Sequence, residues 1–89
     1  MMIAAYNDDK PMVELLLRSG ADVNDKNYDG EVALHYAVSG GYADIVQMLL
    51  DHNADVNVKS EMGATPLKLA ENSGKSDVVA LLKQHGAKE

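Results

Sequence analysis

Three histidines, His35, His52 and His85, are the residues of this sequence that could bind a metal ion. His52 and His85 lie 33 positions apart in similar surroundings, as if in two copies of one unit. Stacked units would separate them by about 10 Å, the distance between packed helices, whereas the ligands of one zinc ion lie about 2 Å from the metal. We therefore expect no metal site, and we interpret both residues as exposed side chains near helix ends.

Covalent catalysis would require a nucleophile held beside a base and an orienting group. The glycine pair at positions 40 and 41 has neither the spacing nor the preceding strand of a phosphate-binding loop. The chain has no cysteine, and its serines lie in predicted turns or beside helix starts: Ser19, Ser39, Ser60, Ser73 and Ser76. The sequence therefore predicts neither enzymatic activity nor a cofactor.

The charge of the chain restricts its partners. Its 89 residues carry a formal net charge of −6, and the isoelectric point is near 4.8, so most of the surface would repel the phosphates of DNA or RNA. No apolar run approaches the roughly 20 residues of a membrane span, and the acidic start differs from a signal peptide. We expect a soluble, intracellular monomer that binds neither nucleic acid nor membrane.

The elements that position these residues follow from an internal repeat. The segment LLLRSGADVN at 15–24 returns as MLLDHNADVN at 48–57, a shift of 33 positions. The same shift carries Gly30 to Gly63 and Leu34 to Leu67, so the period extends along the chain. A fixed repeat of this length is typical of a solenoid, in which each unit buries its apolar face only against its neighbours.

Each unit is predicted to contain two short helices. VALHYAV at 32–38 places apolar residues at helical spacing and is closed by Ser-Gly-Gly, and ADIVQMLLDHN at 43–53 forms a second helix. Asn53 stands where a left-handed residue ends this helix. In the next unit Thr65 is a predicted N-cap and Pro66 the first helical residue. The segments between units carry a glycine at a fixed place and are predicted to be projecting turns.

The segments GATPLKLAENSG and GEVALHYAVSGG, the latter followed by LLDHNADVN, resemble ankyrin repeats in length and motif. The resemblance covers essentially the whole chain. It implies an all-α solenoid of about three helix–turn–helix units with projecting β-turn or hairpin loops, and a structural hydrogen bond from His35 to a neighbouring turn. Some residues depart from the usual repeat and put local stability in doubt: Val32 and Ala33 for Thr-Pro, Lys68 for His, and Asn53 and Asp8 for Gly.

We predict a single domain over residues 1–89. Its first repeat, which lacks its turn and the start of its first helix, covers 1–26, the second covers 27–59, and the third covers 60–89.

The two ends of the array differ. Glu71 and Lys83 stand at positions that are apolar in the earlier repeats, which indicates a C-terminal cap with no unit packed after residue 89. The apolar start has two interpretations: a piece of a longer protein or trimmed chain whose upstream residues cover this end, or a natural start with a frayed first helix.

The surface formed by the turn tips and first helices is the predicted binding face, because its side chains do not pack between repeats. Resemblance to ankyrin repeats implies that a protein binds there. The repeat assigns these residues to the face: Tyr6, Asn7, Lys26, Tyr28, Asp29, Glu31, Ser39, Lys59, Glu61, Met62, Ala64, Asn72 and Ser73.

Tyr28 and Met62 are the most informative members of this face, since exposed aromatic residues often anchor interfaces. The neighbouring acids Asp29, Glu31 and Glu61 favour a partner with Lys or Arg at its rim. In both cases ordinary surface residues are the alternative. For the whole chain, the alternative is a structural element without its own partner, either part of a longer ankyrin protein or an engineered scaffold.

Asn24 and Asn57 recur in phase with Asp22 and Asp55, which indicates a role in every repeat. We expect these side chains to make hydrogen bonds to the turn backbone. Their surroundings also resemble the sites that an asparaginyl hydroxylase modifies in ankyrin repeats, so hydroxylation of Asn24 or Asn57 is a second hypothesis.

Overall fold

The computed structural model describes residues 1–87, which form six helices and no strand. The helices are α1 Met2–Tyr6, α2 Lys10–Arg18, α3 Ala33–Gly40, α4 Ala43–Asp51, α5 Pro66–Asn72 and α6 Ser76–Gln84. None of the helices in this part of the chain has the length and apolar character needed to cross a bilayer. The predicted all-α repeat fold is confirmed.

The helices form three antiparallel pairs that stack in chain order. First helices α1, α3 and α5 contact each other in sequence, as do second helices α2, α4 and α6. Leu34, Ala37 and Leu49, which the repeat placed on the apolar stripes, are completely buried between these layers. Because helices of seven to nine residues are marginal alone, burial between neighbouring repeats is what holds them.

Two ways of starting a helix appear in the stack. The Thr65 hydroxyl accepts a hydrogen bond of 3.2 Å from the Lys68 backbone N–H, as predicted for an N-cap. Val32, at the corresponding place before α3, has no side-chain acceptor. There the ring of His35 reaches back instead, and its Nδ1 accepts from the Val32 backbone N–H at 3.0 Å.

The helix ends depend on residues in the left-handed conformation. Asn53 has φ 69°, as the sequence predicted for the residue that terminates the second helix. The first helix of the same repeat was predicted to be closed by Ser-Gly-Gly, and α3 ends within that segment. The helix continues through Gly40, and Gly41 takes the left-handed conformation and caps it.

The turns between repeats are tight and in register. In the first, the Asn27 N–H donates to Glu31 O and the Gly30 N–H donates to Asn27 O; the Ser60 and Gly63 N–H groups make the equivalent bonds in the second. The Glu61 N–H donates to Asp29 O at 2.8 Å and joins the two turn tips. The predicted projecting turns are therefore connected to one another through their backbones.

The two ends of the stack differ in polarity. Met12 is 42% exposed, whereas Ile45, one repeat later at the same position, is completely buried in the core. Glu71 and Lys83 are exposed on the last repeat, as the cap prediction requires of their side chains. The predicted third repeat runs to residue 89, and its last two positions lie outside the described residues.

Candidate protein-binding groove

An open groove of about 510 Å³ lies between the turns and the first helices, and we call it the concave groove. Its walls come from all three repeats and from the loop after α3. The lining residues are Tyr6, Glu31, His35, Tyr36, Ser39, Gly40, Tyr42, Ala64 and Leu69. Groups more than 30 positions apart in sequence therefore share one surface, as stacking of the repeats requires.

A second hollow of about 410 Å³ adjoins the concave groove at the first repeat, and we call it the apolar hollow. It shares Tyr6 and Tyr36 with the groove, and their rings meet edge to face with centroids 6.0 Å apart. Ile3 is 78% exposed at its edge. Its full lining is Met2, Ile3, Tyr6, Asn27 and Tyr36. A mainly apolar surface thus continues along the first helices.

A hydrogen-bonded cluster connects the first turn to α3. The Tyr36 hydroxyl donates to Glu31 Oε1 at 2.9 Å, and Asn27 Nδ2 donates to the same oxygen at 3.2 Å and to the Tyr36 hydroxyl oxygen at 3.1 Å. The bond to Glu31 raises the pKa of Tyr36 above its usual value of 10.0, and burial and the negative charge of Glu31 act in the same direction. The bond from Asn27 partly opposes the shift.

The turn tips carry large exposed apolar side chains. Tyr28 is 100% exposed and Met62 is 92% exposed. Tyr28 precedes Asp29 and Met62 follows Glu61, the two residues whose backbone bond joins the adjacent tips. Replacing either side chain by a smaller one would therefore remove little buried surface from the folded protein.

The residues predicted for the binding face differ in the hollow that they line and in their exposure. Tyr6, Glu31, Ser39 and Ala64 line the concave groove, and Lys59 and Asn72 line a separate hollow on the third repeat. Two of the predicted residues, Glu31 and Ala64, are half-buried rather than free. The remaining side chains are exposed: Tyr6, Asn7, Lys26, Tyr28, Asp29, Ser39, Lys59, Glu61, Met62, Asn72 and Ser73.

The sequence analysis missed several lining residues, among them Ile3, Tyr36 and Leu69, which line the groove or the apolar hollow. They stand at one position of the repeat, since adding 33 to 3 gives 36 and adding 33 again gives 69. An apolar residue that recurs on a first helix, outside the buried stripe, was the signal that could have identified them.

The histidines have structural positions. His35 is buried, and besides accepting from Val32 its Nε2 lies 3.0 Å from Ala64 O in the next turn, so the hydrogen bond implied by the resemblance is present. With Nδ1 as acceptor, Nε2 carries the proton in this pair of bonds. His52 and His85 are exposed caps at the ends of α4 and α6, and residues 1–87 contain no cluster able to hold a metal ion.

The side chain of Asn24 joins the first two repeats through both its oxygen and its nitrogen. Its Oδ1 accepts from the Asp55 N–H at 2.7 Å, and its Nδ2 donates to Asn53 O at 3.3 Å. Asp22 Oδ1 accepts from the Asn24 N–H, and Asp55 does the same for Asn57. The expected hydrogen bonding in the turns is confirmed, while hydroxylation of either asparagine stays a prediction.

Comparison with known proteins agrees with this architecture. A family model described as ankyrin repeats (3 copies) matches residues 1–89, and the chain belongs to the ankyrin-repeat family. A 42-residue stretch is 48% identical to the potassium channel GORK of Arabidopsis thaliana. That stretch is 47% of the chain and only 5% of the channel. Ankyrin repeats are generally modules of protein interaction.

Proposed function

We propose that the chain binds a protein partner through the concave groove and the adjoining turn tips, without catalysing a reaction. The observation that carries this proposal is the position of Tyr28 and Met62, almost fully exposed on adjacent tips beside an open groove. The contact between an exposed aromatic ring and water is unfavourable in free energy. Burying the ring in a partner recovers that free energy. Central aromatic residues of this kind often dominate the affinity of an interface.

Charge selects among partners in this proposal. The acids Asp29 and Glu61 lie at the joined tips and Glu31 lies in the groove below them. A partner with Lys or Arg at the rim of its interface would associate faster than an acidic one, because the acids attract basic groups and repel acidic groups. Dissolved salt screens both effects. The net charge of −6 favours the same choice and disfavours nucleic acid. A monomeric, intracellular chain belongs to the same proposal.

A structural role without a partner of its own is the alternative, as a part of a longer ankyrin protein or as an engineered scaffold. It is favoured by the extensive bonding between repeats through Asn24 and through the turn tips, which serves the fold alone. The transport activity of the matched channel is not part of either proposal, since the similarity covers 5% of that protein.

The test is an affinity pull-down from cell extract with three forms of the chain: the native sequence, a Tyr28→Ala, Met62→Ala variant, and a Met12→Ala, Leu15→Ala control. Met12 and Leu15 are exposed apolar residues on α2, outside both hollows, so the control removes similar apolar surface elsewhere. Melting curves first establish that all three forms are folded.

We expect a partner that the native chain and the control retain and that the tip variant loses. Its retention by the tip variant and loss by the control would place the binding face on α2. If no partner is retained by any form, the structural alternative is favoured.

A further inference from the structure

We propose that the groove and the apolar hollow together bind an extended peptide segment of the partner, with an apolar side chain in the hollow and a Lys or Arg beside Glu31. This inference rests on the proposed function and specifies the chemistry of the bound segment. It adds a second anchor, on the first helices, to the one on the turn tips.

The apolar hollow has the chemistry of a side-chain pocket. Its walls are Met2, Ile3 and the two tyrosine rings, with Asn27 as the polar residue. Ile3 and Tyr6 are 78% and 65% exposed, so this apolar surface is open to a ligand. Its volume of about 410 Å³ exceeds what a single leucine or phenylalanine side chain needs. Burying such a side chain strengthens binding by about tenfold or more.

Glu31 supplies the basic specificity. The two side-chain hydrogen bonds that its carboxylate accepts from the described residues, from Tyr36 and Asn27, both go to Oε1. A carboxylate offers about four acceptor positions on two oxygens, so Oε2 retains capacity for a guanidinium or ammonium group. The bonds to Oε1 also fix the carboxylate in place, which lowers the entropy lost when a ligand binds.

No counter-charge competes for this carboxylate. Glu31 is the single charged side chain among the described residues that line the two hollows, and neither lining contains Lys or Arg. Lys59 and Lys68 border a different hollow, on the third repeat. An acidic peptide in the groove would therefore bring its carboxylates to Glu31 without compensation, and a basic one is complementary.

The two hollows are adjacent, since the rings of Tyr6 and Tyr36 border both of them. An extended chain directs alternate side chains to the same side. The inference thus specifies an apolar residue and a Lys or Arg close together in a linear segment.

The experiment is selection of random short peptides, displayed on phage, against the immobilised chain. Enriched sequences are synthesised with a fluorescent label, and their dissociation constants are measured by polarisation. Two variants test the two parts of the site, each with a matched control on α2: Glu31→Gln against Glu14→Gln, and Ile3→Ser against Leu15→Ser. Ile3 and Leu15 are both exposed, so neither change removes core packing.

We expect enriched peptides to pair an apolar residue with a nearby Lys or Arg. Glu31→Gln and Ile3→Ser should each weaken their binding by about tenfold or more, because a hydrogen bond to a charge or a buried apolar side chain is worth at least that factor. The controls should bind like the native chain. Added salt should weaken binding to the native chain more than to Glu31→Gln.

Enrichment of acidic peptides, or peptides whose affinity is unchanged by both groove variants, would overturn the inference. So would a selection that enriches no sequence. None of these results decides the proposed function, because the pull-down with the Tyr28→Ala, Met62→Ala variant detects a folded partner on the tips independently of any linear segment.

Discussion

At the scale of single residues, position in the repeat determines exposure. Leu49 and Ile45 are completely buried, whereas Tyr28 on the turn tip is completely exposed. The sequence was sufficient for this division, because apolar residues at helical spacing and residues of turn tips have different surroundings in every unit. It was insufficient for Glu31, whose burial depends on bonds to Tyr36 and Asn27 that no spacing rule indicates.

The contrast between buried and exposed residues predicts two different mutational effects. Leu49→Ala should lower the free energy of unfolding by about 2 to 5 kcal/mol, through lost burial and the cavity that remains. Tyr28→Ala should change it by less than about 0.5 kcal/mol, because the ring has no packing to lose. Denaturant unfolding of both variants measures these values, and similar losses from the two would contradict the assignment of faces.

The ionisation of the Tyr36 phenol provides a measurable prediction. Its pKa is raised in the folded protein by the hydrogen bond to Glu31, with burial and charge adding to the shift. The folded state therefore holds the phenol proton more tightly than the unfolded state does. The resulting stabilisation is complete below the unfolded pKa of about 10 and is lost as the pH rises through the folded value.

The ultraviolet absorbance of tyrosinate, measured for the native chain and for Tyr36→Phe, isolates this group by subtraction. The difference should have its midpoint above the ordinary tyrosine value, and Glu31→Gln should move it down. A midpoint at or below the ordinary value would show that the bond to Glu31 does not hold in solution.

At the scale of the helices, local sequence predicted both starts and ends from residue type. Thr65 and Pro66 begin α5 as their side-chain chemistry requires. The sequence placed the end of α3 in Ser-Gly-Gly at 39–41, and the helix runs through Gly40 until the left-handed Gly41 stops it. Because both residues of the pair are glycine, residue type alone does not indicate which of them takes that conformation.

The two kinds of helix start predict opposite effects of exchanging threonine and valine. Val32→Thr should stabilise the chain by about 0.5 to 1 kcal/mol, because a hydroxyl would accept from the His35 N–H as Thr65 does from Lys68. Thr65→Val should destabilise it by about 0.5 to 2 kcal/mol. Thermal unfolding of both variants tests this, and a destabilising Val32→Thr would mean that the buried site cannot orient the hydroxyl.

At the scale of the whole molecule, the groove exists only because repeats stack. The period predicted the stack and its concave side, but the groove lining joins Tyr6 to Tyr36 and His35 to Ala64, pairs about a repeat apart. These contacts depend on the rotation between successive repeats, which the sequence does not specify. For that reason the turn-tip residues were predicted and the recurring Ile3, Tyr36 and Leu69 were missed.

The hydrogen bonds of the Asn24 side chain allow a prediction of how strongly the first two repeats are coupled. Asn24→Ala removes the bonds to Asp55 N–H and Asn53 O, and at about 0.5 to 1.5 kcal/mol for each bond it should cost about 1 to 3 kcal/mol. Denaturant unfolding gives the loss, with Asp25→Ala in the same segment as the control. A loss no larger than that of the control would mean that water replaces the Asn24 bonds without cost.

The most direct measurement of the binding surface is an amide NMR titration of the isotope-labelled chain with the partner captured in the pull-down. If the concave surface binds, shifts should concentrate in the turns at 26–31 and 59–64 and in α1, α3 and α5, with Tyr6 and Tyr36 among the largest. Shifts concentrated in α2, α4 and α6 would contradict binding through the concave groove and would place the partner on the opposite side of the stack.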